Sequence, residues 1–203
     1  MSTNRTEDLM RANLDTHPDR LKWNEKHRKA AEASSFQLAP LLDFLTGIPW
    51  PEGPVLELAC GLSGNALAVA QRGRQVLAVD ISDVALEELG REAERRDLRG
   101  RVSLLQADLL RWEPGESRFA LVLCTRYWER SVFERVAQAV RTEGLLAWET
   151  FRLEHLRYQP SFPREWCLNS DEPGALLPAG FISLLQEDLD DGRTATRRFV
   201  ARR

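Results

Sequence analysis

Residues 55–69 read Val-Leu-Glu-Leu-Ala-Cys-Gly-Leu-Ser-Gly-Asn-Ala-Leu-Ala-Val and decide the fold. The first five form a short apolar run, which is typical of a strand covered on both faces of a parallel sheet. The small residues from Cys60 to Gly64 allow a sharp turn and a close approach of the backbone to a ligand. The residues from Asn65 onward read as the opening of a helix. A strand, a tight turn and a helix in this order predict the nucleotide-binding corner of a doubly wound sheet.

The carboxylate of Glu57 stands inside this apolar strand. A buried carboxylate is costly unless hydrogen bonds or an opposite charge satisfy it. One explanation is that Glu57 accepts hydrogen bonds from the backbone N–H groups of its own turn. The other is that it supports the turn while it reaches the cationic end of a bound cofactor. The sequence leaves both explanations open.

Size and charge restrict the class of protein. The 203 residues suffice for one domain with a sizeable core, and 43% hydrophobic and 29% charged residues are ordinary for a soluble globular chain. The net charge is −3, so no basic field is available for nucleic acid, and we expect none as a partner. No apolar run approaches the roughly 20 residues that span a bilayer, and we expect no membrane partner.

Three cysteines, Cys60, Cys124 and Cys167, are scattered through the chain. Their odd number and wide spacing favour a reducing compartment over a disulfide framework, and they form no metal-ligand pairs. The segment from Met1 to Asp19 is polar and contains no signal peptide. We therefore expect a cytoplasmic protein without a metal site.

The rest of the chain continues the alternation of strands and helices. Two later apolar runs end on acids, Asp80 and Asp108, and Asp80 stands about twenty residues after the turn, where a ribose-binding carboxylate is expected. Alternatively, Asp80 is only a capping residue. The further predicted strands are 75–80, 101–108, 119–124, 144–149, 181–189 and 194–201, with helices at 85–96 and 132–140. This order predicts an α/β fold, a doubly wound seven-stranded mostly parallel sheet of Rossmann-like type with a C-terminal antiparallel β-hairpin.

The flanking regions differ in character from the alternating core. Residues 1–20 are predicted to form a polar N-terminal arm, and residues 21–203 a single domain. Residues 21–46 should form N-terminal lid helices, with a helical pattern over 30–46 that Pro40 breaks or restarts. Trp23 in this region is either a core residue or part of a pocket wall. Residues 151–178 lack a clear period, and we expect an irregular insert there on the substrate side.

These features resemble the class I S-adenosylmethionine-dependent methyltransferases over about residues 53–203. The finer similarity is to a small-molecule branch that includes the tellurite-resistance and thiopurine methyltransferases. It is carried by Trp23-Asn24-Glu25, by Ala59-Cys60-Gly61 with Asn65-Ala66, by Arg126-Tyr127-Trp128-Glu129-Arg130 and by Glu149-Thr150-Phe151. The resemblance implies the Rossmann-like methyltransferase fold. It also implies an enzyme that moves a methyl group from S-adenosyl-L-methionine to a small-molecule acceptor by in-line displacement.

The resemblance further implies which residues bind the cofactor. Residues of the turn and of the fourth strand's end would surround its methionine part, and acids after the second and third strands would bind its ribose and adenine. The N-terminal helix would close the site. The implied cofactor-binding residues are Trp23, Arg28, Glu57, Ala59, Gly61, Ser63, Asp80, Ile81, Asp108, Leu109, Cys124 and Arg126.

Three positions of the turn depart from the family pattern. The family prefers glycine where Ala59 and Ser63 stand, and many relatives carry arginine where Gly64 stands. The methyl group of Ala59 is small, whereas Ser63 occupies a position whose backbone angle must suit a side chain. We therefore expect Ser63, more than Ala59, to reduce the affinity for the cofactor.

No residue is clearly catalytic. Methyl transfer to an electron-rich acceptor needs a general base only when the acceptor carries a proton. Arg126 and Arg130 could bind an anionic acceptor or pair with nearby glutamates. The acceptor is expected to be small and partly apolar or anionic. Weak catalytic candidates, each alternatively structural, are Tyr127, Glu149, His155 and Tyr158.

Two other classes of protein remain as alternatives. A nicotinamide-dependent Rossmann oxidoreductase uses the same corner, but its fingerprint needs glycine at Ser63, and the closing hairpin does not suit it. A non-catalytic S-adenosylmethionine-binding protein would have an intact cofactor site and would transfer no methyl group. The oligomeric state cannot be read from the sequence.

Overall fold

The computed structural model describes residues 14–31 and 36–203. Residues 1–13 of the predicted arm and residues 32–35 of the predicted lid lie outside the described residues. The helices are α1 (Pro18–Ala31), α2 (Pro40–Phe44), α3 (Asn65–Gln71), α4 (Asp83–Arg95) and α5 (Arg130–Ala137). The strands are β1 (Val55–Leu58), β2 (Val76–Asp80), β3 (Val102–Gln106), β4 (Phe119–Thr125), β5 (Val140–Phe151), β6 (Ile182–Asp190) and β7 (Ala195–Arg202).

These strands form one sheet in the order β3-β2-β1-β4-β5-β7-β6. Strands β1 to β5 are parallel, and β7 runs antiparallel to both β5 and β6. All of β1 is buried, and so is β4 except for its last residue, because central parallel strands have no solvent-facing side. The predicted doubly wound, mostly parallel sheet with a C-terminal hairpin is confirmed.

The register of the central strands brings several turns to one edge of the sheet. Leu58, the last residue of β1, pairs with Val79 of β2 and with Cys124 of β4. Because these strands are parallel, their carboxyl ends meet there, and the segments that follow them come together. The candidate site lies at this edge.

Two hydrophobic clusters hold the sheet from its opposite faces. On one face, α2, α3 and α4 contribute buried leucines such as Leu41, Leu67 and Leu89. On the other face, α5 and the segment after β5 cover the strands. There Phe133 lies edge-on to Trp148, with ring centroids 5.3 Å apart. Burial on both faces explains why the strands are apolar without alternation.

The N-terminal region differs from the sequence prediction. Helix α1 begins at Pro18, inside the predicted arm, and contains Trp23 and its charged neighbours. The helical pattern predicted over 30–46 is wrong at residues 36–39, which have no regular structure. A short helix restarts at Pro40, since proline suits the first helical turn, where an N–H needs no partner. Apolar spacing alone did not locate this break.

A smaller difference concerns α5 and β5. The helix predicted to reach residue 140 ends at Ala137, and β5 begins already at Val140. The pairing of β4 with β5 shifts register between Phe119 and Leu121, and this irregularity lets β5 continue through Gly144. Among the described residues, no helix has the length and apolar character to cross a membrane. The same residues include no cluster of histidine, cysteine and acidic side chains suited to a metal ion.

Candidate functional site

The carboxylate of Asp80, at the end of β2, accepts a hydrogen bond from the turn between β1 and α3. The N–H of Gly61 donates to Asp80 Oδ2 at 2.8 Å, and the N–H of Ser82 donates to Oδ1 at 2.8 Å. Burial raises the pKa of Asp80, and the two N–H groups partly offset this rise. Ser82, not Asp80, caps α4, because its Oγ accepts from the N–H of Ala85 at 3.1 Å. Asp80 is therefore not the N-cap of α4, and its carboxylate instead holds the turn after β1.

The two carboxylate oxygens of Glu57 lie in different surroundings. Oε1 accepts hydrogen bonds from Ser63 Oγ at 2.8 Å and from Asn65 Nδ2 at 3.0 Å. Oε2 is buried and has no hydrogen-bond partner among the described residues. Desolvation raises the pKa of Glu57 to about 7, and interactions with the side chains of Ser63 and Asn65 and with the backbone N–H of Ala66 offset part of the rise. One oxygen therefore supports the turn, and the other is left to accept from a bound group.

The backbone angles of Ala59 and Ser63 differ within the turn. Ala59, with φ of 46°, has a left-handed backbone, and Ser63 does not. The Ser63 hydroxyl donates to Glu57 and accepts from the N–H of Asn65 at 3.0 Å. Ser63 therefore supports the turn, and the strain lies at Ala59, where the left-handed conformation costs about 1–2 kcal/mol.

Gly64 has no room for the arginine that many relatives carry. A Cβ added to Gly64 would lie 2.1 Å from the carbonyl oxygen of Phe36. The N–H of Gly64 donates to the carbonyl oxygen of Gln37 at 2.9 Å, and the N–H of Ala39 donates to Asn65 Oδ1 at 2.9 Å. The segment before α2 therefore crosses directly over the turn, which requires glycine at this position.

Ala59→Gly is expected to stabilise the protein by about 0.5–1 kcal/mol. Glycine removes the left-handed strain, but its greater freedom in the unfolded chain cancels part of the gain. The measurement is the midpoint of urea unfolding at unchanged slope. Ala70→Gly inside α3 is the control, and it should destabilise by about 1 kcal/mol. A lower midpoint for Ala59→Gly would show that the turn is not strained at this residue.

Helix α1 is fastened across the site edge by polar contacts to the start of α4. Arg20 donates from Nε and Nη2 to the two oxygens of Asp83, each at 2.8 Å, and Asn24 Nδ2 donates to Asp83 Oδ1 at 2.7 Å. The buried Asn24 also accepts from Ser82 Oγ at 2.6 Å. The hydrogen bonds from Arg20 hold the pKa of Asp83 below its usual range. We call α1 the lid helix.

The lid helix presents His27 and Trp23 to the site. A Cβ added to Gly61 would lie 3.2 Å from His27 Cε1, so the imidazole lies over the turn. Trp23 stacks on His27 with ring centroids 5.8 Å apart, and on Trp166 of the insert at 6.1 Å. Burial lowers the pKa of His27, although the nearby Asp80 carboxylate opposes this. Trp23 therefore joins the lid helix to the insert.

The lid helix also shows what the sequence interpretation missed. Arg28, which the resemblance placed in the site, is exposed. His27 lies over the turn instead. Its spacing of four residues from Trp23 places both side chains on one helix face, and this spacing was the available signal.

The residues predicted for the adenine and ribose side follow β2 and β3. Ile81 comes directly after β2, and the buried Leu109 follows β3 beside Asp108. Only 12% of the Asp108 side chain is exposed, and His17 Nε2 lies 3.8 Å from its Oδ2. The structure places all three predicted residues in the two segments that leave the sheet at the site edge.

The loop after β4 presents Arg126 and Tyr127. Arg126 has a left-handed backbone with φ of 59°, and its N–H donates to the carbonyl oxygen of Glu149 at 2.8 Å. Trp148 Nε1 donates to the carbonyl oxygen of Tyr127 at 2.7 Å. Burial raises the pKa of Tyr127 and also that of the Cys124 thiol at the end of β4. Both groups therefore stay protonated at neutral pH, and Tyr127 is a hydrogen-bond donor rather than a base.

The remaining catalytic candidates take part in structural contacts. His155 is buried and stacks on Phe151 with ring centroids 4.4 Å apart. Tyr158 donates to Asp190 Oδ1 at 2.6 Å on the exposed hairpin. Glu149 pairs with an arginine of β7 at 2.8 Å. Among the described residues, no hydrogen bond or ion pair joins any of the three to the turn.

A cavity of about 480 Å³ opens beyond the loop after β4. Its wall combines residues that follow β4 with residues of the insert. Arg130 in this wall pairs with the buried Glu172 and not with the glutamates of its own segment. The lining includes Trp128, Arg130, Leu153, Arg164, Cys167 and Glu172.

Comparisons with known proteins agree with this architecture. Residues 55–144 match the family model described as a methyltransferase domain. Among solved structures, geranyl diphosphate methyltransferase is 17% identical over 80% of this chain and 75% of that chain, with a TM-score of 0.65. Geranyl diphosphate C-methyltransferase from Streptomyces coelicolor A3(2) is 13% identical over 80% and 74%, with a TM-score of 0.66. Coclaurine N-methyltransferase is 16% identical over 80% and 71%, with a TM-score of 0.63. No curated protein matches the chain.

The sheet order and the turn after β1 define a Rossmann-like methyltransferase fold. The domain match covers residues 55–144, so this part of the chain is similar to methyltransferases, and S-adenosyl-L-methionine is the cofactor that the sequence resemblance implies. The site fits this cofactor in one tested respect. Glu57 Oε2 is a buried acceptor without a partner among the described residues, and the cofactor brings an ammonium group that can donate to it.

Proposed function

We propose that the chain methylates a small-molecule acceptor by in-line displacement. The bound cofactor supplies an electrophilic methyl group, so the acceptor's lone pair forms a bond to carbon while the carbon–sulfur bond breaks and its electron pair stays on sulfur. The observation that carries the proposal is the combination of the unpartnered Glu57 Oε2 with the fixed carboxylate of Asp80 on adjacent strands.

The proposed cofactor contacts follow from this geometry. Glu57 Oε2 accepts from the ammonium group, and the free lone pairs of Asp80 accept from the ribose hydroxyls. His27 replaces Arg28 as the lid residue over the turn, because Arg28 is exposed. The other proposed cofactor-binding residues are Trp23, Ala59, Gly61, Ser63, Ile81, Asp108, Leu109 and Cys124.

The acceptor is proposed to bind between the lid helix, the loop after β4 and the insert. The stacked Trp23 and Trp166 exclude water from this side, and the protonated Tyr127 orients the acceptor by donating a hydrogen bond. The names of geranyl diphosphate methyltransferase and coclaurine N-methyltransferase describe small-molecule acceptors for proteins of the same fold. We also infer a cytoplasmic location from the three free cysteines, which are all buried.

The test is thermal unfolding with S-adenosylhomocysteine and, in parallel, with NAD. A ligand at about 100 times its Kd adds roughly 2.7 kcal/mol, which raises the midpoint by about 5–10 °C for a chain of this length. We expect a shift with S-adenosylhomocysteine alone and none in Asp80→Asn, which keeps the side-chain shape. A shift with NAD alone would favour the oxidoreductase alternative.

Catalysis is tested separately from cofactor binding. Wild-type protein with labelled S-adenosyl-L-methionine is expected to transfer the label to at least one member of a broad panel of thiols, phenols, amines and carboxylic acids. Binding of S-adenosylhomocysteine without any transfer would favour the non-catalytic binding protein instead.

A further inference from the structure

Three solvent-exposed cations lie within electrostatic reach of one another where the lid helix approaches the loop after β4. Lys22 and Lys26 lie one turn apart on the lid helix, and Arg126 follows β4. Lys22 Nζ lies 4.2 Å from the ring centroid of Trp166, and Lys26 Nζ lies 4.3 Å from that of Trp23. We call Lys22, Lys26 and Arg126 the cation cluster.

The cation cluster has no counter-charge in the described part of the chain. None of its three side chains lies within 4.0 Å of a carboxylate oxygen there. Glu25, the acid beside Lys26 in sequence, pairs instead with Lys29 at 2.6 Å. The pKa of Lys26 lies below its usual value because of desolvation first, and then because of the nearby Arg126 and Lys22. Gathering these charges costs free energy, and a bound anion would remove that cost.

The backbone at Arg126 supports the same conclusion. Arg126 has φ of 59°, a strained conformation for a residue with a side chain. Strain of this kind persists where the surrounding structure enforces it, and it gathers at functional sites. Here the hydrogen bond from the Arg126 N–H to Glu149 enforces the conformation. The conformation presents an unpaired guanidinium at the site edge.

Contacts connect the cation cluster to the cofactor site. Trp23, under Lys26, stacks on His27, and His27 lies over Gly61 of the turn. Arg126 continues β4, which pairs directly with β1. We infer that the cation cluster binds an oxyanion of the methyl acceptor, so the acceptor is a small aromatic or apolar molecule that carries a carboxylate or a similar anion. This inference rests on the proposed function and names its substrate class.

The probe is 4-fluorobenzoate, and its neutral isostere 4-fluorobenzamide is the matched ligand. Wild-type protein saturated with S-adenosylhomocysteine is titrated with each, and binding is read from fluorine line broadening. We expect the acid to bind about tenfold more tightly than the amide, since a charge-assisted hydrogen bond is stronger than a neutral one. Added salt should weaken only the acid. Equal binding of the two ligands, or no binding of the acid at millimolar concentration, would overturn the proposal.

Matched variants assign the binding to the cation cluster. Lys26→Met and Arg126→Met are each expected to weaken binding of the acid by about tenfold and to leave the amide unchanged. Lys29→Met removes a charge that Glu25 already pairs, and it should change neither. Retention of full affinity for the acid in both cluster variants would contradict the inference.

The cofactor's own carboxylate is the competing source of the anion. Affinities for S-adenosylhomocysteine and for methylthioadenosine, which lacks the amino-acid part, are therefore measured in the same variants. If the variants lose affinity for S-adenosylhomocysteine but not for methylthioadenosine, the cation cluster binds the cofactor's carboxylate. That result would overturn the inference about the acceptor. Binding of S-adenosylhomocysteine to wild-type protein is measured first, before any probe is added. If wild-type protein does not bind it, the proposed function is overturned rather than the inference about the acceptor.

Discussion

In wild-type protein we expect the free energy of unfolding to fall by about 3 kcal/mol as Glu57 ionises with rising pH. Glu57→Gln is expected to abolish this fall. The pKa of Glu57 is raised from 4.5 to about 7 by burial, so the folded protein binds this proton more tightly than the unfolded chain. The free energy of unfolding should therefore be highest below the ordinary pKa and fall as the pH rises through about 7. A glutamine cannot ionise, and its amide offers one donor and one acceptor side, as the protonated carboxyl does.

The measurement is urea unfolding of both proteins at several pH values from about 5 to about 8. The difference between them isolates Glu57 from Asp80 and His27, which titrate in both. We expect the stability of the variant relative to wild-type protein to increase from about pH 5 to about pH 8. S-Adenosylhomocysteine should bind wild-type protein more tightly as the pH rises, because its ammonium group favours the ionised Glu57, and the variant should lack this trend. A constant difference in stability across the pH range would contradict the raised pKa.

Asp83→Ala is expected to release the lid helix from the rest of the protein. Asp83 accepts two hydrogen bonds from Arg20 and one from Asn24, and bonds to charged groups contribute about 1.5–3 kcal/mol each. Amide hydrogen exchange over residues 18–31 should accelerate by about a hundredfold, while β1 and β4 stay protected. S-Adenosylhomocysteine should bind more weakly, since His27 would no longer lie over the turn.

Glu25→Ala is the matched control for this release. Glu25 lies on the same helix and pairs only with Lys29, with both side chains exposed. An exposed pair of this kind contributes about 0.3–0.5 kcal/mol, so exchange should change less than threefold. Unchanged exchange of the lid helix in Asp83→Ala would mean that the stacking of Trp23 on Trp166 holds the helix by itself.

The central sheet could be predicted from local sequence. The apolar run at 55–58, the small residues of the turn and the acids at the ends of the next two runs depend only on neighbouring residues and on burial. The structure confirms these strands and the closing hairpin. The lid was predicted less well, because α1 is polar along most of its length and its docking depends on hydrogen bonds rather than on an apolar stripe.

The sequence alone determined the class of fold, the tight turn after β1 and the presence of a carboxylate inside β1. Only the tertiary structure decided how these groups are used. Arg20 and Asp83 are 63 residues apart, and no local rule brings them together. The backbone strain of the turn lies at Ala59 and not at Ser63. The sequence could not show this, because φ depends on how Asp80 and the segment before α2 hold the turn. Local patterns specify elements, whereas contacts between distant residues specify which atoms remain free to bind.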